Sequence, residues 1–371
     1  MRIKHSQKKE TMILVVNTGS TSLKYKVFDQ YLGEIKSGGF NGLAYRQAGI
    51  GQRLRDHTQA VNAMLDELSQ QKDKIVKVGY RVVHGGDEAD EIMPITLPVM
   101  KIIEKYSPLA PHHNPAVIKV IRALIEKIPY ASHFAVFDTA FFRNLPEVAK
   151  IYPIDRTIAE ELGIRRYGFH GISHEWTASE VDPEKCKKVV TIHLGAGCSL
   201  AAIDCGKPID TSMGFTPMEG VPMQTRSGDL DPEIVLYLVD KYGNRRAREI
   251  IEDKSGLAGL SNTSGEMLTL LSLAGEKVED DDFHISKDKT AKDSSKEEAK
   301  LAIEIYCFRV KKYLGAYIAA LGGIDVVAFT GEIGYGSGVI RNKILSGLKF
   351  LDFQVKTVKP DEELAIAKKL K

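Results

Sequence analysis

Two stretches of this sequence, far apart along it, follow the same order of residue types, and a chain that repeats its opening strands has few folds open to it. From Met12 to Glu34 an apolar strand reaches Asn17, a small-residue turn runs from Thr18 to Ser22, and a second strand closes on Asp29 before a loop into a third. From Val189 to Ile209 the apolar run reaches His193, the turn runs from Gly195 to Ser199, and the next strand closes on Asp204. We read this as an internal duplication; two unrelated hairpins would look similar, since glycine turns are common. Strands alternate with helical patterns elsewhere, which predicts α/β architecture in both halves. At 371 residues the chain is too long for one core, so two domains with a cleft between them are expected, with the boundary near residue 150.

A third glycine turn differs in its setting. The apolar run Ile324 to Thr330 predicts a buried strand entering GEIGYGSG, followed by a helical stretch from Val339 to Phe350. Before it, Ala299, Ala302, Ile303, Tyr306, Val310, Tyr313, Leu314, Tyr317, Ile318 and Leu321 recur at three- and four-residue steps, which predicts one long helix ended by Gly322-Gly323. The segment of about 276–296 is dense in Asp, Lys and Ser and reads as a charged exposed insertion.

Several function classes are excluded by charge and hydropathy. Lys and Arg number 51 against 49 Asp and Glu, so no large excess charge exists to hold nucleic acid or an anionic membrane. The start, Met1 to Thr11, lacks the apolar core of a signal peptide, and no apolar run approaches a bilayer span of ~20 residues; a cytoplasmic location is the expectation. Cys186, Cys198, Cys205 and Cys307 show no metal-ligand spacing and are expected to be buried thiols.

Small-residue turns let several backbone N–H groups approach one phosphate, so three of them favour nucleotide or polyphosphate binding. Lys24 is placed either to meet a phosphoryl oxygen or as a solvated strand residue, and the Asn17 amide oxygen suits a metal's water shell. Arg81, in VGYRVVHGG, needs a buried partner or faces a cleft; Arg226, in MQTRSGDLDP, offers the forked donors that grip carboxylate or phosphate. Asp138 interrupts the apolar run FAVFDTAFF and either anchors a turn or works in a site. His170 and His174 have a helical zinc pair's spacing but lack its glutamate, leaving His170 as a hydrogen-bond donor to a phosphoryl group or a satisfied core histidine.

Together these motifs resemble the acetate kinase family, within the superfamily of acetate and sugar kinases, Hsp70 and actin. VNTGSTSLKYKVFD and RRYGFHGISH carry its two signatures, and GYRVVHGG, LAPHHNPA, VFDTAF, HLGAGCS, DTSMGFTPMEG, TRSGDLDP, FTGEIG and DEELAIA follow in order. The resemblance implies two RNase H-like, actin-like domains of duplicated topology, residues 12–150 plus 359–371 and residues 151–358, and a homodimer. It implies Mg²⁺ (or Mn²⁺) held near Asn17 and Glu362, and a nucleotide held by Ser20, Ser22, Lys24, His193, Leu194, Gly195, Ala196, Gly197, Gly331, Glu332, Ile333, Gly334 and Tyr335. The catalytic set it implies is Arg81, Asp138, His170 and Arg226, with Arg81, Val83, His112, His113, Phe169 and Pro217 around the substrate carboxylate. The activity it implies is reversible transfer of the terminal phosphoryl group of ATP to acetate.

The chain also departs from the family pattern. Glu266-Met267-Leu268 stands where Asp-x-Arg is usual beside the adenine, GEIGYG replaces GGIGEN, Ala196 replaces an Asn, and His112 replaces a Leu in the acyl segment. The stretch from Phe353 to Pro360 is shorter than usual, which predicts a trimmed sheet edge. These departures keep other readings open: another nucleotide or pyrophosphate as donor, propionate or another short-chain acid as acceptor, or a nucleotide-binding homologue with impaired turnover.

Overall fold

The computed structural model describes residues 10–43, 56–276 and 296–371, so nearly all of the charged 276–296 insertion lies outside the described residues. The chain divides into two compact units, Met1–Arg143 with Asp361–Lys371, and Asn144–Pro360.

The first unit is built on a six-stranded sheet. Its strands are β1 (Met12–Thr18), β2 (Ser22–Asp29), β3 (Glu34–Asn41), β4 (Ile75–Val82), β5 (Ile92–Pro94) and β6 (Ser132–Phe137), in the spatial order β3-β2-β1-β4-β6-β5. β1, β2 and β3 form an antiparallel meander, whereas β1, β4 and β6 run parallel. Central strand β1 is buried on both faces, which is why it is an almost unbroken apolar run. Edge strand β3 instead alternates exposed and half-buried positions. The helix Asn114–Lys127 starts with Pro115 in its first turn and buries Val117, Val120, Ile121 and Leu124 at helical spacing.

The helix Glu362–Leu370 returns to this unit. Ile366 and Leu370 press so close to β4 that a Cβ on Gly79 would lie 2.7 Å and 2.6 Å from their side chains, so only glycine fits there. Asp361 caps the helix by accepting from the Leu364 N–H at 2.9 Å, and its carboxylate binds Lys26 Nζ of β2 at the same distance.

The second unit repeats the plan with β7 (Lys188–Leu194), β8 (Cys198–Asp204), β9 (Lys207–Thr211), β10 (Val326–Thr330) and β11 (Gln354–Thr357), ordered β11-β10-β7-β8-β9. Read from the meander side, both sheets run third, second and first strand, followed by two parallel ones, so the duplication covers five strands of each, with β5 an added antiparallel edge in the first. The helix Lys296–Leu321 buries most of the predicted stripe, from Ala299 through Tyr306 and Val310 to Leu321, while Tyr313 and Ile318 at its edges are half-buried.

Three expectations need correction. The helix predicted from Val339 to Phe350 spans Gly338–Leu345; Gly347 at φ 83° turns the chain, and Phe350 is left exposed. The shortened stretch before Pro360 still supplies an edge strand, since β11 pairs in parallel with β10 from Val326 to Phe329. Only Cys198 and Cys307 are buried thiols. Cys186 and Cys205 are exposed, because Cys186 precedes β7 and Cys205, at φ 47°, forms the turn between β8 and β9.

Two buried histidines tie stability to pH. His84 is fully buried against the Tyr106 ring, 4.9 Å between centroids, and its Nδ1 accepts from the Gly86 N–H. Burial pulls its pKa down to about 3, and burial together with nearby His193 pulls His174 well below the ordinary value. The unfolded chain therefore takes up protons below about pH 6.5 that the folded chain refuses, so stability falls as pH drops from there. We expect the urea midpoint to fall between pH 7 and 5 as the unfolding free energy loses up to about 1.4 kcal/mol per pH unit per histidine below pH ~6.5, and His84→Asn to flatten that slope.

Candidate functional site

In the first unit, strand register assembles a charged cluster at the ends of β1, β4 and β6. Asn17 lies near the end of β1, opposite Lys24 on β2. Arg81 lies near the end of β4, opposite Val136 of β6, and Asp138 follows that strand directly. Asp138 is fully buried and takes both Nε of Arg81, at 3.0 Å, and Nη2, at 2.9 Å. Arg81 Nη1 reaches Asn17 Oδ1 at 3.4 Å, and Asn17 Nδ2 donates to Glu363 Oε1 at 2.9 Å. Burial alone would lower the Arg81 pKa; Asp138, Glu362 and Glu363 outweigh it, so the guanidinium is held charged. Glu363 is pushed above the ordinary glutamate range by burial first and by the Glu362 carboxylate second.

Asp138 thus anchors the turn after β6 while fixing Arg81 as a donor. The Asn17 amide oxygen faces Arg81, and the carboxylate that meets Asn17 belongs to Glu363. Sequence reasoning chose Glu362 alone. The signal for Glu363 lay in the helical period, since 363, 366, 367 and 370 form the buried face. No group of three or more His, Cys, Asp or Glu side chains among the described residues is placed to cage a metal. Glu362, Glu363 and Asn17 still suit Mg²⁺, which keeps several waters and is bound mainly through substrate phosphates rather than an all-protein cage.

The first turn is closed by a Gly19 N–H to Ser22 O bond of 2.9 Å, with Ser20 exposed, Ser22 half-buried and Lys24 exposed. His57, unassigned from the sequence, contacts the Gly19 carbonyl through Nε2 at 3.0 Å. Val83 and His113 are half-buried, and His112 is exposed where an apolar residue was expected.

In the second unit, the register of β7 with β10 sets Thr330 beside His193 and so joins two turns. Gly331, at φ 78°, lies so close to Leu194 that a Cβ would sit 2.4 Å from the Leu194 carbonyl oxygen. The turn from Leu194 to Gly197 closes through a Gly195 N–H to Gly197 O bond of 3.1 Å. Gln224 N–H binds the Ala196 carbonyl at 3.2 Å, which ties the Arg226 loop to this turn. Glu332 and Tyr335 are exposed and Ile333 is half-buried; Arg341 Nη1 donates to the carbonyls of Gly334, at 2.8 Å, and Tyr335, at 2.6 Å. Leu268, at the altered base-side motif, is half-buried.

His170 caps the helix Gly171–Val181 in the left-handed conformation, φ 56°, next to buried Phe169. Its ring stacks on His193, 4.5 Å between centroids, and His193 Nδ1 meets Ser173 Oγ at 2.8 Å. Arg226 is half-buried, and its contacts are the Pro217 carbonyl at 3.4 Å and Met223 Sδ at 3.6 Å. It forms no ion pair among the described residues, and burial draws its pKa below the ordinary value. Pro217 belongs to a loop fixed by residues that the sequence motifs contain without an assigned role, and by Tyr152 outside them: Arg166 Nη2 binds Glu219 at 2.6 Å, Tyr152 donates to Glu219, and the Gly214 carbonyl accepts from Tyr167 N–H at 3.0 Å.

The sequence matches the acetokinase family over residues 12–368. It is 37% identical over 367 residues to an acetate kinase of Staphylococcus aureus, covering 92% of this chain and 86% of that one. A solved acetate kinase of Porphyromonas gingivalis superposes with a TM-score of 0.81 at 32% identity, over 97% and 98% of the two chains. A solved propionate kinase of Francisella tularensis gives 0.84 at 30%, over 96% and 98%.

Proposed function

Since the chain belongs to the acetokinase family, we propose that it is a Mg²⁺-dependent acetate kinase, moving the terminal phosphoryl group of ATP reversibly onto acetate to give acetyl phosphate and ADP. The observation that carries this reading is Arg226: a half-buried guanidinium with no carboxylate partner among the described residues, on a loop bonded to a glycine turn. An arginine so placed is completed by an anion from outside.

Acetate has a pKa near that of glutamate, ~4.3, so at neutral pH it is already the nucleophile and no strong general base is needed. Asp138 therefore acts by fixing Arg81, whose guanidinium orients the acceptor carboxylate. In a loose phosphoryl-transfer transition state the protein aligns oxygens and balances charge on the moving group. Arg226 and His170 supply donors for that charge, and backbone amides of the Gly195–Gly197 turn and at the start of the helix Gly331–Gly336 hold the donor's remaining phosphates. Asn17, Glu362 and Glu363 are the residues that would hold Mg²⁺, which would supply neutralisation of the donor's phosphate charge.

The test is acyl phosphate formation, trapped as the hydroxamate, with ATP, GTP or pyrophosphate offered separately and acetate or propionate as acceptor. ATP with acetate and Mg²⁺ is the pair expected to react fastest. A stronger signal with pyrophosphate or propionate would revise the donor or acceptor, and no signal with any pair would overturn the reading.

A homodimer is part of the same proposal. The helix Pro232–Tyr242 buries none of its residues, and Ile234, Leu236 and Tyr237 are exposed at 46%, 57% and 66%. Large apolar side chains exposed this heavily on one helix suit an association site. Leu236→Glu should convert a dimer into a monomer in sedimentation; an unchanged mass would remove this helix from the interface.

A further inference from the structure

Between β9 and the helix Pro232–Tyr242 the chain runs from Ser212 to Asp231 with no helix or strand of its own. Loops longer than ~12–15 residues without regular structure are uncommon and usually functional. This one carries both Pro217 and Arg226. Ordering so long a loop costs much conformational freedom, so an arginine on it is aimed only if the loop is held elsewhere.

The loop has a neck. Asp229 N–H donates to the Gly220 carbonyl at 2.8 Å, and Asp229 Oδ1 accepts from the Gly220 N–H at 2.7 Å. Glycine makes that approach possible: Gly220 lies at φ 108°, and a Cβ on Gly228, at φ 68°, would sit 2.5 Å from the Gly220 carbonyl oxygen. Residues 220–229 are thereby closed off as a smaller loop, with Arg226 on it. Inside, the Met223 N–H donates to the Arg226 carbonyl at 3.0 Å.

Two tyrosine hydroxyls hold the neck from different elements. Tyr313, on the helix Lys296–Leu321, donates to the other Asp229 oxygen, Oδ2, at 2.5 Å. Tyr152 donates to Oε2 of Glu219, the residue before the neck, and its oxygen accepts from the Phe215 N–H at 2.9 Å. Glu219 Oε1 is taken by Arg166, whose Nη1 also donates to the carbonyl of Thr211, the last residue of β9, at 2.9 Å. A Cβ on Gly214 would run into Tyr152 Oη and Glu219 Oε2, so only glycine leaves room for their bond. Burial first, with Glu219 adding to it and Arg166 opposing it, raises the Tyr152 pKa; burial and then Asp229 raise that of Tyr313. Both phenols stay protonated donors around neutral pH.

The aim of Arg226 runs through these bonds. Its Nη1 donates to the Pro217 carbonyl at 3.4 Å, and Pro217 lies between Phe215 and Glu219, the two residues that Tyr152 grips. Phenylalanine would fill the same space as either tyrosine, so packing does not account for the hydroxyls. We propose that Tyr152 and Tyr313 are positioning residues for Arg226: through Glu219 and Asp229 they fix the neck and the Pro217 carbonyl, and so hold the guanidinium where it meets the transferring phosphoryl group. That meeting rests on the kinase reading; the ordering of the guanidinium does not.

The test is a double-mutant cycle in the full chain, scored by acetyl phosphate formation with ATP, acetate and Mg²⁺. Tyr152→Phe and Tyr313→Phe should each lower kcat about tenfold, since small misplacements of an aligned group are costly. In the Arg226→Ala background, where nothing is left to aim, the same substitutions should cost about twofold or less. A side chain that only held the fold together would cost the same in both backgrounds. In parallel, ¹⁵N-arginine relaxation of the native chain, with the Arg226 Nε–H assigned by its loss in Arg226→Ala, should show that group as rigid as the backbone, and each Tyr→Phe change should make it mobile.

Native kcat in either tyrosine variant would overturn the proposal, and so would equal losses in the two backgrounds. A mobile Arg226 Nε–H in the native chain, or one equally rigid in the variants, would overturn it as well. If a Tyr→Phe variant does not fold, the native arginine spectrum and the other variant decide. A chain that makes no acyl phosphate with any donor would overturn the kinase reading instead, and the arginine spectra would still decide the positioning.

Discussion

Arg226→Ala should lower kcat by about 10²–10³-fold, the usual scale for removing one donor to transition-state charge, while the urea midpoint stays the same or rises. The second half of that expectation separates function from folding. Arg226 has no carboxylate partner among the described residues to be orphaned, and burial already disfavours its charge. Removing it relieves desolvation and leaves no unpaired charge behind. Arg226→Lys should recover only part of the rate, because an ammonium cannot reproduce the planar fork. Turnover close to native in Arg226→Ala would remove this residue from the catalytic set.

Asp138→Ala should behave in the opposite way in the stability measurement. Its carboxylate is fully inaccessible and meets Arg81 at two nitrogens, with the arginine side chain itself 15% exposed. Truncation leaves that guanidinium buried without its main counter-ion, which costs about 3–5 kcal/mol. Activity should fall as well, since Arg81 loses the group that aims it. Asp138→Asn keeps the shape and one acceptor, so its loss of stability should be smaller. A midpoint for Asp138→Ala within experimental error of the native value would show that the pair carries no such weight.

How much of this was legible in the sequence depends on the range over which each feature is determined. Parallel strands β1, β7 and β10 announce themselves because both faces are buried and the residues run apolar without alternation. The helix Lys296–Leu321 is equally plain, its buried face set by a local period. Edge elements were harder: β11 is exposed along its whole length, so nothing in its composition separates it from a loop. Exposure of Cys186 and Cys205 depended on turn geometry that a count of cysteines does not carry.

The site residues divide along the same line. Arg81 and Asp138 stand out because a charge inside an apolar run needs an explanation, and each explains the other. Glu363 was readable from helical phase but was passed over for its neighbour. Ser199 offered nothing to read, because its contact with His170 depends on β8 bringing it to a histidine 29 positions earlier in the chain. Arg166 and Glu219 are tied by a contact 53 positions apart, and neither motif predicts the other.

The division of the chain also orders events on the ribosome. Residues 144–360 form one uninterrupted compact unit, whereas the other unit needs residues 361–371 to cover β4 and to bring Glu363 to Asn17. Domains generally mature as units while synthesis proceeds. A nascent chain that has emerged only as far as Pro360 therefore holds everything required for the later-made unit, while the earlier-made one still waits with an uncovered sheet.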